Sequence, residues 1–211
     1  MSIFKKTYRY NDHTIYNGHH LVTYKGVPAI KCPFDYTIYQ MILWEVQPDL
    51  VIEIGTNKGG TTLYLADLLE ANNKGEVHTI DLPENNESPL LRSHKRIKMF
   101  KTGFENYDTT AIKNYKTVLV IEDGSHQYAD TLKALQKFSS SVTAGSYFIV
   151  EDGIIDNLGW KNKFNGGPQK AINEFLKNDK SFNIDTKWTN FFGKNATFNI
   201  KGYLKKSDDG T

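Results

Sequence analysis

A chain of 211 residues fits one domain, and a hydrophobic fraction of 39% is enough to build a substantial core. Its 26 basic and 24 acidic residues leave a formal charge of only +2, too even a balance for a broad field that would steer nucleic acid or an anionic membrane. Cys32 is the only cysteine, so an intramolecular disulfide and a thiolate zinc site are both excluded, and a reducing compartment is expected.

In chain order, Met1 to Tyr10 lacks the apolar stretch of a signal peptide, and no window reaches the ~18 apolar residues a membrane helix needs. A cytoplasmic protein is expected. Residues 1–47 read as an N-terminal extension with a helix near Tyr36–Val46, residues 48–206 as one domain, and residues 207–211 as a polar tail. From Asp49 onward, short apolar runs alternate with helical patterns, the mark of parallel βαβ units. Asp49–Ile54 reads as the first strand and Thr61–Ala71 as its helix. Val77–Ile80 is the second strand, Arg96–Phe100 the third and Thr117–Ile121 the fourth, followed by a helix over Tyr128–Ser139. Tyr147–Val150 is the fifth strand. Pro168 opens a helix running to Lys177, and Phe182–Trp188 and Ala196–Leu204 have strand character suited to an antiparallel pair. Seven strands of this kind predict an α/β, doubly wound, Rossmann-like sheet, whose ligands bind beyond the carboxyl ends of the strands.

Chemistry-bearing residues fall at those ends. Glu53-Ile54-Gly55-Thr56-Asn57-Lys58-Gly59-Gly60-Thr61-Thr62 joins the first strand to its helix. Gly55 allows a tight turn, Gly59 and Gly60 allow close backbone approach, and the helix start offers unpaired amides to an anionic group. A dinucleotide fingerprint wants glycine where Asn57 stands, which counts against NAD. Asp81, ending the second strand, is placed to accept hydrogen bonds from ribose hydroxyls. Glu53 either orders the turn or meets an amino group of the ligand.

The fourth strand runs into Glu122-Asp123-Gly124-Ser125-His126 and the fifth into Glu151-Asp152-Gly153. If these strands are neighbours, Asp123, Glu151 and Asp152 converge. Three close carboxylates repel, and a hard divalent ion with oxygen ligands such as Mg²⁺ removes the conflict. Strand alternation turns Glu122 to the other face. His126 is a candidate base for a hydroxyl proton, a fourth ligand or a structural residue. His13, His19, His20, His78 and His94 show no ligand spacing with the acids.

Taken together, these segments resemble the cephalosporin hydroxylase and rhamnosyl O-methyltransferase family, a branch of class I methyltransferases. The matching stretches are Gly26-Val27-Pro28-Ala29-Ile30-Lys31-Cys32-Pro33-Phe34-Asp35, Tyr39-Gln40, Ile52 to Thr56 and Gly59 to Thr62. They continue with Asp123 and His126, Gly145-Ser146-Tyr147, Val150-Glu151-Asp152, Gly167-Pro168, Ala171 and Gly202 to Lys206. The resemblance implies S-adenosylmethionine held by Glu53, Gly55, Thr56, Gly59, Gly60, Thr61, Asp81 and Asp123. It implies Mg²⁺ or a similar cation on Asp123, Glu151 and Asp152, a homo-oligomer, and O-methylation of a small-molecule acceptor such as a sugar. The acid spacing is also similar to the catechol O-methyltransferase group, where a lysine stands at the position of His126; Met41 and Cys32 depart from the family pattern. Tyr147, Trp160, Phe164 and Trp188 are candidates for the acceptor pocket or for core packing, and Lys161 to Gly167 for a mobile loop over the site. Two alternatives remain: a hydroxylase, as one family name suggests, and a non-catalytic S-adenosylmethionine-binding assembly protein. Nucleic-acid methylation lacks a basic, aromatic platform.

Overall fold

A computed structural model describes residues 11–84 and 86–208. The first ten residues of the expected extension and the last three of the expected tail lie outside the described residues. The chain begins with α1 (Asp12–His19), the two-residue strands β1 (Thr23–Tyr24) and β2 (Val27–Pro28), and α2 (Pro33–Val46). It continues through β3 (Leu50–Ile54), α3 (Gly60–Ala71), β4 (Glu76–Ile80), α4 (Leu90–Ser93), β5 (Ile97–Phe100), β6 (Val118–Glu122), α5 (Tyr128–Phe138) and β7 (Tyr147–Val150). The last elements are α6 (Ile154–Asn157), α7 (Gly167–Asn178), β8 (Phe182–Ile184), α8 (Thr186–Thr189) and β9 (Tyr203–Lys206).

Seven strands form one sheet in the order β5-β4-β3-β6-β7-β9-β8. Neighbours are parallel as far as β7, while β9 runs antiparallel between β7 and β8. Strand alternation divides the core. Leu50, Ile52, Ile54, Val118 and Val120 face α5 and α7, meeting Leu135, Phe138, Ile172 and Phe175. Val51, Leu119 and Ile121 face the other layer, meeting Ile38 and Ile42 of α2 and Leu65 and Leu69 of α3. Strands buried on both faces read as continuous Val/Ile/Leu runs, which is why they stood out in the sequence. The reversal of strand order falls between β3 and β6, where a ligand cleft is expected.

Two sequence expectations change. Of Phe182–Trp188, only Phe182–Ile184 is strand, because Asp185 accepts from the Lys187 amide at 2.9 Å and caps the short helix α8. Of Ala196–Leu204, only the final residues join the sheet. The segment before them is folded inward, where buried Asp35 of α2 accepts from the Thr197 hydroxyl, the Phe198 amide (3.1 Å) and the Tyr203 hydroxyl (3.0 Å). Gly202 allows the return to the sheet, since a Cβ there would stand 1.9 Å from the Val150 carbonyl oxygen. α2 also begins earlier than expected, with Pro33 in its first turn.

Asp35 therefore ties α2 to the last loop. Asp35→Ala should cost about 3 kcal/mol, since three buried donors lose their acceptor. Urea unfolding measures this, and an unchanged midpoint would show that apolar contacts alone hold the loop.

Candidate active site

The sheet ladder continues past the strand ends and sets their tips level. Gly55 donates its amide to Ile80 (2.9 Å), Asp123 to Ile54 (2.8 Å) and Glu151 to Glu122 (2.9 Å). Gly55 has φ +100, and a Cβ there would stand 2.1 Å from the Asp123 carbonyl oxygen, so only glycine fits between these tips. Three other residues beside the tips also take left-handed backbone: Asn57 (φ 49), His126 (φ 58) and Asp152 (φ 57). Such conformations are uncommon outside glycine and concentrate at functional sites.

Between the tips lies a cavity of about 580 Å³. Of the residues expected to hold a cofactor, Gly55, Thr56, Gly60, Thr61, Asp81 and Asp123 line it. Asp81 accepts from the amides of Asn57 and Leu82, both at 2.8 Å, which fixes its carboxylate at the cavity rim. Glu53 sits behind this wall, accepting from the hydroxyls of Thr62 and Thr79. Gly59 packs against Leu91. Glu53 thus orders the glycine turn from beneath.

The far end of the cavity is acidic. Ligand atoms of Asp123, His126 and Asp152 all lie within 4.8 Å of one another. His126 Nε2 is 3.2 Å from Asp152 Oδ2, and the buried Nδ1 has no hydrogen-bond partner. Two carboxylates and an imidazole at this spacing suit a divalent cation. Burial alone would lower the His126 pKa, but Asp152, Asp123 and Glu122 outweigh it and move the imidazole above its ordinary value.

Glu151 is placed differently. Its Oε2 is ion-paired with Lys31 and its Oε1 accepts from the Tyr39 hydroxyl at 2.6 Å. Lys31 Nζ also stands 2.9 Å from Asp123 Oδ2, and the side chain of Lys31 is 1% exposed. Burial opposes a charge there, yet the carboxylates of Asp123 and Glu151 prevail and hold the ammonium well above the usual lysine range. Lys31 is therefore enclosed between two carboxylates rather than exposed to the cavity. Sequence reasoning gave it no role, because a lysine in an apolar segment ordinarily snorkels to solvent. Glu122 was also set aside. Glu122 does lie on the α5 face with Val118 and Val120, accepting from the Thr131 hydroxyl of α5, but at the end of β6 that face opens onto the cavity, which Glu122 lines while also accepting from the Gly124 amide.

Of the expected acceptor aromatics, Tyr147 and Trp188 are core residues, joined by a 3.1 Å hydrogen bond. Phe164 is the one beside the acids, its ring centroid 6.1 Å from that of His126. Trp160 meets Tyr16 of α1 edge-on at 4.8 Å. The expected loop begins as a 3-10 turn, Lys161–Phe164, and Asn165 donates to Gln127 at 2.8 Å.

The Rhamnosyl O-methyltransferase/CmcI family model matches residues 17–207. The chain belongs to that family. Rhamnosyl O-methyltransferase of Mycobacterium leprae (strain TN) is 26% identical over 159 residues, covering 72% of this chain and 69% of that protein. Its counterpart in Mycobacterium bovis (strain BCG / Pasteur 1173P2) is 28% identical over 160 residues, covering 72% of this chain and 65% of that protein. Among solved structures, CmcI with Mg and SAM superposes at a TM-score of 0.68 with 21% identity, over 90% of this chain and 78% of that one. The O-methyltransferase NovP superposes at 0.61 with 16% identity, over 96% and 90%. The fold is that of the class I methyltransferases.

Burial pushes the Glu53 carboxyl up to about 7, against the two threonine donors. The folded state then holds a proton that the unfolded chain releases near 4.5, so stability from this group falls as pH rises between those values. Glu53→Gln should gain on the wild type across that interval and keep a constant advantage above it. Urea midpoints from pH 4.5 to 8 measure this, and a difference independent of pH would mean that Glu53 titrates normally.

Proposed function

We propose that this protein is an S-adenosylmethionine- and divalent-metal-dependent O-methyltransferase acting on a hydroxyl of a sugar or related natural product. The observation that carries the reading is one cavity whose wall runs from the glycine turn and Asp81 to Asp123, His126 and Asp152. A nucleoside donor and a cation-bound acceptor would meet there. Family membership and the names of the relatives, rhamnosyl O-methyltransferases, support a sugar as acceptor.

When bound, S-adenosylmethionine would supply an activated methyl group on sulfur, and a divalent cation would supply the charge that makes a hydroxyl more acidic. The chain's own task is largely positioning, since methyl transfer from a sulfonium is an in-line displacement. The Gly55 turn, the α3 amides and Asp81 would hold the donor, and Asp123 and Asp152 would hold the cation. His126, its ring oriented by the contact of Nε2 with Asp152, would take the hydroxyl proton on Nδ1, the nitrogen left without a partner. Phe164 offers an apolar face beside that proton acceptor.

Hydroxylation at non-haem iron would call for two histidines and one carboxylate. The converging side chains are one histidine and two carboxylates, which favours methyl transfer. Among the described residues no helix is long and apolar enough to cross a membrane, in keeping with the cytoplasmic location we assign. Exposed Trp44, Phe191 and Phe192 support the homo-oligomer that the family likeness suggests.

The test is release of S-adenosylhomocysteine with a panel of rhamnosides and other vicinal diols, in Mg²⁺ and in EDTA. Turnover is expected only with Mg²⁺. Asp152→Asn should raise the half-saturating Mg²⁺ concentration about tenfold or more, since it removes a charged ligand. His126→Gln should leave that concentration near the wild-type value and lower kcat by about 100-fold. Equal turnover in EDTA, or unchanged Mg²⁺ dependence in Asp152→Asn, would refute the cation's part. Binding of the donor without turnover on any acceptor would favour an assembly protein.

A further inference from the structure

We infer that Lys31 is a built-in counter-cation which keeps the carboxylates at the tips of β6 and β7 assembled before a divalent ion arrives. Its ammonium lies 2.9 Å from Asp123 Oδ2 and is hydrogen-bonded to Glu151 Oε2. Lys31, Glu151 and Tyr39 are all buried. Tyr39 closes the other side of Glu151 at 2.6 Å and itself accepts from Asn199 Nδ2 at 3.0 Å, within the loop that Asp35 ties down. The cluster therefore has a cationic side away from the cavity, at Lys31, and an open side facing it, at His126 and Asp152.

Buried carboxylates this close repel one another and pay for lost hydration unless a cation compensates them. Lys31 supplies one charge against Asp123 and Glu151, and Asp152 with His126 completes the set. Asp123 is common to both sides, since its carboxylate meets Lys31 and its backbone oxygen abuts Gly55 at the donor turn. A lysine that holds Asp123 thus also holds the donor cleft in shape. Lys31 is accordingly a positioning residue, and it makes donor binding independent of the metal. The role of Lys31 toward the acids stands on its contacts alone; its relation to the metal rests on the reading of Asp123 and Asp152 as cation ligands.

Methionine matches lysine in length without its charge, and glutamine matches glutamate. Melting temperatures of wild type, Lys31→Met, and Lys31→Met with Glu151→Gln are to be compared in EDTA and in saturating Mg²⁺, alongside calorimetric titration of S-adenosylhomocysteine in EDTA. Removing one member of a buried pair is far costlier than removing both. Lys31→Met should melt roughly 10 °C below wild type in EDTA, and the added Glu151→Gln should restore most of that loss. Mg²⁺ should raise the melting temperature of Lys31→Met several-fold more than that of wild type, since the metal then supplies the missing charge. Wild type should bind S-adenosylhomocysteine in EDTA, and Lys31→Met should bind it at least tenfold more weakly. If Lys31→Met does not fold in EDTA, folding of the double variant supports the same role. Failure of Glu151→Gln to restore Lys31→Met, or a clear Mg²⁺ stabilisation that is the same in wild type and Lys31→Met, would overturn it. Restoration in EDTA with no Mg²⁺ effect on any variant would uphold the counter-charge and instead sink the cation reading of Asp123 and Asp152.

Discussion

A buried ammonium among carboxylates is the interaction on which the site depends. The sheet brings Asp123, Glu151 and Asp152 to two adjacent strand tips, and no apolar packing could hold such a group together. Lys31 does so from beneath, contacting Asp123 and Glu151, while His126 meets Asp152 from the cavity side. The energetic logic is that of any buried ion pair. Desolvation is large and the Coulombic return offsets it only when geometry is good and the remaining hydrogen-bond capacity is used. Tyr39 uses that capacity at Glu151. The result is specificity of arrangement more than stability.

The same group links the two functional halves of the cleft. Gly55 approaches the Asp123 backbone so closely that no side chain fits between them. Displacement of Asp123 would therefore disturb the glycine turn as well as the acids. Glu53 supports that turn from the opposite side, through Thr62 and Thr79. On the proposed reading, positioning the donor and positioning the cation would be parts of one packed arrangement, as in-line transfer requires.

Much of this was legible in the sequence. The central strands were, because Leu50–Ile54 and Val118–Ile121 are buried on both faces and contain little else than branched apolar residues. The glycine turn, Asp81, Asp123, His126 and Asp152 were legible because they stand directly after those runs. The rest depended on tertiary partners that periodicity does not carry. Ala196–Gly202 looks like strand until Asp35 of α2 captures Thr197 and Phe198. α1 was missed because its sequence, Asp12–His19, is short and mostly polar and shows no clear apolar face. In the sequence Lys31 stands out only as part of the stretch Gly26–Asp35. Nothing local marks it as buried, since its partners lie about ninety and more residues away, directly after β6 and β7. Glu151 was legible as an acid at a strand tip, but its engagement by Lys31 and Tyr39 was not.

The most direct test is the anomalous signal of Mn²⁺ in crystals grown with S-adenosylhomocysteine. The account predicts one peak at the acidic end of the cavity, within coordination distance of Asp123 and Asp152, with Lys31 still against Glu151. A peak elsewhere, or Asp123 and Asp152 turned away from a common point, would contradict it.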